Sequence, residues 1–117
     1  MSMTPVFGCR PWVALAALAF GVSLAGSAQA RDYDAGKKKA EEVCKACHGA
    51  DGNTPLTPET PKLAGQYYDY LVHSLKAYRS GARENPLMGP MAKPLSDKEV
   101  KDVAWYFSKQ PGLVSKY

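Results

Sequence analysis

Residues 44–48 read Cys-Lys-Ala-Cys-His, and this pentapeptide constrains the chain more than anything else in it. Two cysteines three positions apart at the end of a helix each reach one of the two vinyl groups on a porphyrin edge. A histidine directly after the second cysteine then projects its imidazole to the iron from one face. The spacing predicts one covalently attached haem c on Cys44 and Cys47, with His48 as an axial ligand of the iron. Two other uses of paired cysteines need a context that is missing. A redox dithiol of the thioredoxin kind sits in a βαβ unit, and the chain shows no strand pattern. A zinc centre needs a third and fourth ligand. The only other histidine is His73, in a predicted helix among tyrosines, where a surface or packing role is expected.

The remaining cysteine, Cys9, falls in a segment that reads as an address label. Arg10 supplies a positive n-region, an uncharged and mostly apolar stretch runs from Trp12 to about Gly26, and Ala28-Gln29-Ala30 has the small-x-small form of a cleavage site. An uncleaved anchor is the alternative, since the uncharged stretch between Arg10 and Arg31 is just long enough to span a bilayer. Its Ala, Gly and Ser content and terminal small-residue site favour a cleaved signal peptide, residues 1–30. Cys9 precedes the apolar run and so is not placed as a lipoprotein cysteine. Residues 31–117 then form one small domain. In an oxidising compartment the two thiols left in it must be bonded to each other, to a metal or to a cofactor. A domain this short gains from a cofactor as a staple.

The formal charge of the whole chain is +4, and two haem propionates would bring the exported part close to neutral. The lysines and arginines are scattered, not striped, so no nucleic-acid partner is expected.

The exported part reads as three helices separated by Pro- and Gly-rich loops. The first is expected to start at Asp34 as N-cap and to run to about Ala46, with Lys37-Lys38-Lys39 as a solvated face. From Gly49 to Gly65 the chain carries Gly49, Gly52, Asn53, Pro55, Pro58 and Pro61, which predicts a long ordered loop. A second helix is expected from about Gln66 to Ser80, with Tyr67, Tyr70, Leu71, Leu75 and Tyr78 at helical spacing and Gly81 as its C-terminal cap. A second loop, Ala82 to Leu95, contains Pro86, Pro90 and Pro94 with Met88 and Met91 between them. The last helix opens on Ser96-Asp97-Lys98-Glu99, a capping box. Val100, Val103, Ala104 and Phe107 come next on one face, and Pro111 is expected to end it. Two such loops in a small domain make sense only around something large and apolar.

A haem held by one histidine leaves an open coordination position. Once the leader and its Met3 are gone, Met88 and Met91 are the methionines left. A thioether on the distal side raises the reduction potential and closes the site, and either residue satisfies that reading.

The stretch CKACHGADGN, followed in order by PKLAGQ, YL, AYRSG, MGPMA, LSDKEV and AWYFSKQP, resembles the bacterial class I c-type cytochromes, and within them the cytochrome c553 and c4 group. The resemblance covers nearly all of residues 31–117. It implies the small all-α cytochrome c fold, with N- and C-terminal helices crossing over one haem. In the family the first methionine of an M-x-x-M pair binds iron, which favours Met88 and leaves Met91 as runner-up. Pro61 matches the proline whose carbonyl accepts a hydrogen bond from the proximal histidine. Gly36 and Tyr106 match the positions where the terminal helices cross. Cytochrome c4 proteins proper carry two such domains, whereas one Cys-x-x-Cys-His is present here. The motif also lies near the start of the domain, unlike that of cytochrome c′.

The function expected from these residues is that of a soluble periplasmic electron carrier and not of an enzyme. It would be monomeric and would dock transiently on redox proteins as donor and acceptor. The rival readings are a haem subunit dedicated to a membrane oxidase or dehydrogenase, and a haem that binds or reduces a small ligand such as a peroxide. The last needs an open sixth position with acid–base groups beside it, and no such constellation is seen in the sequence.

Overall fold

The chain enters its first helix at Asp32, whose carboxylate accepts a hydrogen bond from the Ala35 N–H at 3.0 Å. An N-cap carboxylate satisfies one of the orphan donors of the first turn. The expected cap, Asp34, lies inside the helix, because Asp32 is the residue with extended backbone ahead of it. The computed structural model describes residues 30–112. All of the expected leader but Ala30, with Cys9, lies outside the described residues. Helix α1 (Tyr33–Lys39) runs into a π-helical turn (Ala40–Cys44) and then into α2 (Lys45–His48). The first helical segment therefore reaches His48 rather than stopping near Ala46. Helices α3 (Tyr68–Ser80), α4 (Met88–Ala92) and α5 (Asp97–Ser108) complete the described residues, which contain no strand.

The all-α class expected from the sequence is thus the class adopted, with two further differences in detail. Helix α3 begins at Tyr68, and α5 ends at Ser108, ahead of Pro111, where the Lys109 N–H turns back to the Tyr106 carbonyl at 3.1 Å. Gly81 caps α3 in the left-handed conformation, and the Ser96–Glu99 capping box is present with both of its hydrogen bonds.

Helix α5 is the element on which the others lie. Val100, Val103, Ala104 and Phe107 are buried along one face, joined by Ala40 from the π-turn and Leu71 from α3. Fully burying side chains such as Phe107, Val100 and Val103 stabilises by about 1.5–3 kcal/mol each. Helix α1 crosses α5, and α3 packs against both α5 and α4. Asp102, buried in α5, is bonded at both carboxylate oxygens. Oδ1 accepts from the Asp32 N–H at 2.9 Å and Oδ2 from Lys98 Nζ at 2.6 Å. A buried carboxylate is tolerated only when paired in this way, and here it ties the start of α1 to α5. Nothing in the pattern of the sequence singles Asp102 out.

Lys37 and Lys38 are exposed, as a solvated face requires. Lys39 departs from that expectation. Its Nζ lies 3.4 Å from Glu42 and 3.0 Å from Glu99 and bridges to α5. The Ser96 backbone N–H, and then the Lys39 ammonium, hold the Glu99 carboxyl down to about 2.

The crossing of α1 on α5 is set by Gly36. A Cβ built there lies well inside contact distance of the Asp102 carbonyl oxygen and 3.1 Å from Tyr106 Cβ. The neighbour is backbone and cannot swing away. Gly36→Ala is expected to lower holoprotein stability by about 2–3 kcal/mol through forced separation of the helices, read as the midpoint shift in denaturant. An unchanged midpoint contradicts the close crossing.

A carboxyl held below its ordinary value of 4.5 contributes stability above that pH and loses it as pH falls toward about 2. Glu99→Ala is accordingly expected to lower Tm by about 4–8 °C at pH 7, the effect of losing a helix cap in a domain of this size. The gap between variant and wild type should narrow steadily from pH 4.5 to 2. A gap of constant width contradicts the assignment.

Candidate haem site

The π-turn and α2 place the pentapeptide. A π-turn inserts one extra residue, so everything after it is rotated by roughly 100° relative to a regular helix. Gly36 upstream is buried, as is Ala40 at the start of the turn; Cys44 at its end packs against the core cluster, and beyond it Cys47 is exposed and His48 is buried at 5% exposure. Gly49, at φ 83°, stops the helix directly after the histidine.

The loop from Gly49 to Tyr67 is irregular but closely bonded. The Leu56 N–H donates to the Cys47 carbonyl at 2.8 Å, and the Leu63 and Ala64 N–H groups both donate to the Gly52 carbonyl. The Gly65 N–H reaches the Phe107 carbonyl at 2.9 Å, Asn53 Nδ2 the Pro111 carbonyl at 2.9 Å, and Tyr106 Oη the Ala50 carbonyl at 2.9 Å. Gly52 sits at φ 75°, and a Cβ there would meet the Phe107 ring at 2.8 Å. The loop is thus laid directly on α5, and its far side brings the Pro61 carbonyl to His48.

His48 Nδ1 lies 2.8 Å from the Pro61 carbonyl oxygen. A carbonyl only accepts, so Nδ1 carries the hydrogen and the lone pair is on Nε2. This is the arrangement that orients a metal-binding imidazole and fixes its tautomer.

The two cysteines are not joined to each other in a disulfide. Burial pushes the Cys44 thiol up to about 11. A thiolate is costly at such a position, whereas a thioether to a vinyl carbon carries no charge to desolvate. Among the described residues no group of three or more His, Cys, Asp or Glu side chains converges. The donor set fits covalent haem: two sulfurs and one oriented imidazole.

The second candidate ligand lies elsewhere in the chain. Met88 and Met91 are carried by α4, a helix that the three prolines of the segment disguise as loop in the sequence. Met88 is half-buried, and Met91 is 44% exposed. Pro86 and Pro90 are compatible with α4 because Pro86 stands where the N–H has no helical partner and Pro90 removes one donor only. The signal for the helix is Asn85-Pro86, a capping residue followed by proline at the first helical position.

Helix α3 positions the segment that carries α4. Arg83 lies over the Tyr78 ring at 4.7 Å, its Nη1 reaches Ser74 Oγ at 3.5 Å, and hydrogen bonding to Arg83 and then Ser74 draws the Tyr70 phenol below its ordinary range. At the far end Arg79 donates to the Leu95 carbonyl at 2.8 Å and pairs with Asp97. His73 is exposed.

A family model described as Cytochrome c matches residues 33–110. The chain belongs to the cytochrome c family. Cytochrome c4 of Thiocapsa roseopersicina is 48% identical to it over 87 residues, covering 74% of this chain and 44% of that protein. Cytochrome c-554(548) of Halomonas halodenitrificans is 48% identical over 84 residues, covering 69% of this chain and 99% of that protein. The crystal structure of reduced recombinant cytochrome c4 from Pseudomonas stutzeri superimposes with a TM-score of 0.66 at 42% identity, covering 73% of this chain and 48% of that one. The chain spans about half the length of the cytochrome c4 relatives and nearly all of cytochrome c-554(548). It is a class I c-type cytochrome of the c4 type, with the small cytochrome c fold and covalently bound haem c. No helix among the described residues is long and apolar enough to cross a membrane.

Tyr106 serves the site as well as the helix crossing. Tyr106→Phe removes the bond to Ala50, two residues past His48, and is expected to cost about 1 kcal/mol in holoprotein stability, read by denaturant unfolding. No measurable loss would show that the loop does not depend on that bond.

Proposed function

We propose that this cytochrome is a periplasmic electron carrier whose haem iron is held by His48 and Met88. The observation that carries the proposal is an imidazole already oriented by Pro61, in a chain whose half-buried Met88 is carried by a short helix packed against α3. The bound haem supplies a one-electron couple. His48 presents Nε2 while its Nδ1 hydrogen is held by Pro61. Met88 would supply a thioether to the iron, which would favour the reduced state. Met91, more exposed, is the alternative to Met88. Cys44 and Cys47 fix the ring to the protein.

Leu56, in the segment after His48, and Leu87, at the start of α4, are 73% and 74% exposed. A porphyrin lying between those segments would cover apolar surface of this kind. Residues 1–30 act as a cleaved export signal and residues 31–117 as the mature domain, a monomer. Docking on donor and acceptor proteins is transient, as the small interfaces of electron-transfer encounters are.

One observation favours a second reading, that of an acceptor dedicated to one dehydrogenase. A protein of Thiomonas intermedia named thiosulfate dehydrogenase electron acceptor is 46% identical over 66 residues, which cover 56% of this chain and 30% of that protein. Both readings use the same closed ligand pair and differ in the partner.

Met88→Ala is expected to yield a high-spin ferric protein that binds carbon monoxide when reduced and has a lowered potential. Met91→Ala should keep the wild-type spectrum. The reverse pattern would move the ligand to Met91, and two silent variants would remove methionine ligation altogether.

A further inference from the structure

Helix α4 is too short to stand by itself. An isolated helix of so few residues is unstable in water, and Pro90 has no N–H to donate to the Pro86 carbonyl. The Met91 N–H to Leu87 carbonyl bond is long, at 3.4 Å. What starts the helix is Asn85. Its carbonyl accepts from the Gly89 N–H at 3.0 Å, and its side-chain Oδ1 accepts from the Leu87 N–H at 2.9 Å and the Met88 N–H at 2.8 Å. Helical hydrogen bonding therefore begins at Asn85, with Pro86 in the first position, and one amide oxygen holds the next two donors.

One of those donors belongs to Met88 itself. Two residues before Asn85 the chain is fixed to α3, since the Arg83 N–H donates to the Ala77 carbonyl at 3.1 Å and the Arg83 guanidinium rests on Tyr78. We propose that Asn85 is the positioning residue for the methionine ligand: its Oδ1 anchors the Met88 backbone and so sets how firmly the Met88 thioether is presented to the iron. The inference rests on Met88 being the ligand. Asn85 touches neither the ligand sulfur nor the ring, and its effect passes through the Met88 main chain.

The test uses the haem-loaded, full-length protein. Asn85→Ala is expected to weaken the far-red methionine-to-iron band of the ferric protein and to tighten cyanide binding about five-fold, the size of a lost helix cap, with haem attachment intact. Asn85→Asp keeps an acceptor for both N–H groups and should restore wild-type values. If the Ala variant does not accumulate with haem, Asn85→Gln takes its place, with the acceptor moved one methylene away and the same outcome expected. Wild-type cyanide affinity and band in the Ala or Gln variant would overturn the proposal. So would an Asp variant as defective as Ala. A far-red band that survives Met88→Ala would instead sink the ligand assignment, so the two failures are told apart.

Discussion

The distance at which α1 can lie on α5 governs where most of the later chain is placed. Gly36 allows that distance to be one at which no Cβ fits against the Asp102 backbone. Once the helices touch there, Asp102 can reach the Asp32 N–H, Lys39 can reach Glu99, and Ala40 and Cys44 fall against the core. The helical path then ends at His48, with Tyr106 one turn along α5 from Asp102 and ready to take the Ala50 carbonyl. The histidine's position is a consequence of helix packing before it is a matter of haem chemistry.

The loops depend on the same anchoring. Between Gly49 and Tyr67 the backbone has no regular partner, and its polar groups are satisfied by α5, by the chain after it and by the loop itself. No buried side-chain nitrogen or oxygen among the described residues lacks a partner. That economy is what allows so irregular a segment to hold the Pro61 carbonyl on one ring nitrogen of His48. On the other side, Arg79 and Arg83, near one end of α3, hold the two ends of the segment that carries Met88. A single helix thus anchors both ends of that segment.

Much of this is readable in the sequence because its causes are local. The capping box of Ser96 and Glu99, the glycine cap at Gly81 and the apolar face of Val100, Val103, Ala104 and Phe107 each depend on residues within two turns of one another. The cysteine pair with its histidine is likewise a local pattern, and the family it points to is the one the chain belongs to. What escapes is tertiary. The π-turn at Ala40–Cys44 has no sequence signature, and the buried carboxylate of Asp102 is legible only once α1 lies beside it. Lys39 reads as one of three solvated lysines until α5 supplies Glu99. Helix α4 is the exception, because Asn85-Pro86 is a start signal outweighed by the density of prolines around it.

Carrier and catalyst differ here at one coordination position. A protein that closes that position with a methionine passes electrons and leaves small ligands unbound, whereas one that leaves it open invites them. The most direct measurement is the absorption of the purified wild-type protein at neutral pH, taken with its response to carbon monoxide. A far-red methionine-to-iron band in the ferric state, with no carbon monoxide complex in the ferrous state, is the predicted result. A high-spin ferric spectrum and rapid carbon monoxide binding would contradict the closed His48–Met88 pair and, with it, the assignment of this cytochrome as an electron carrier.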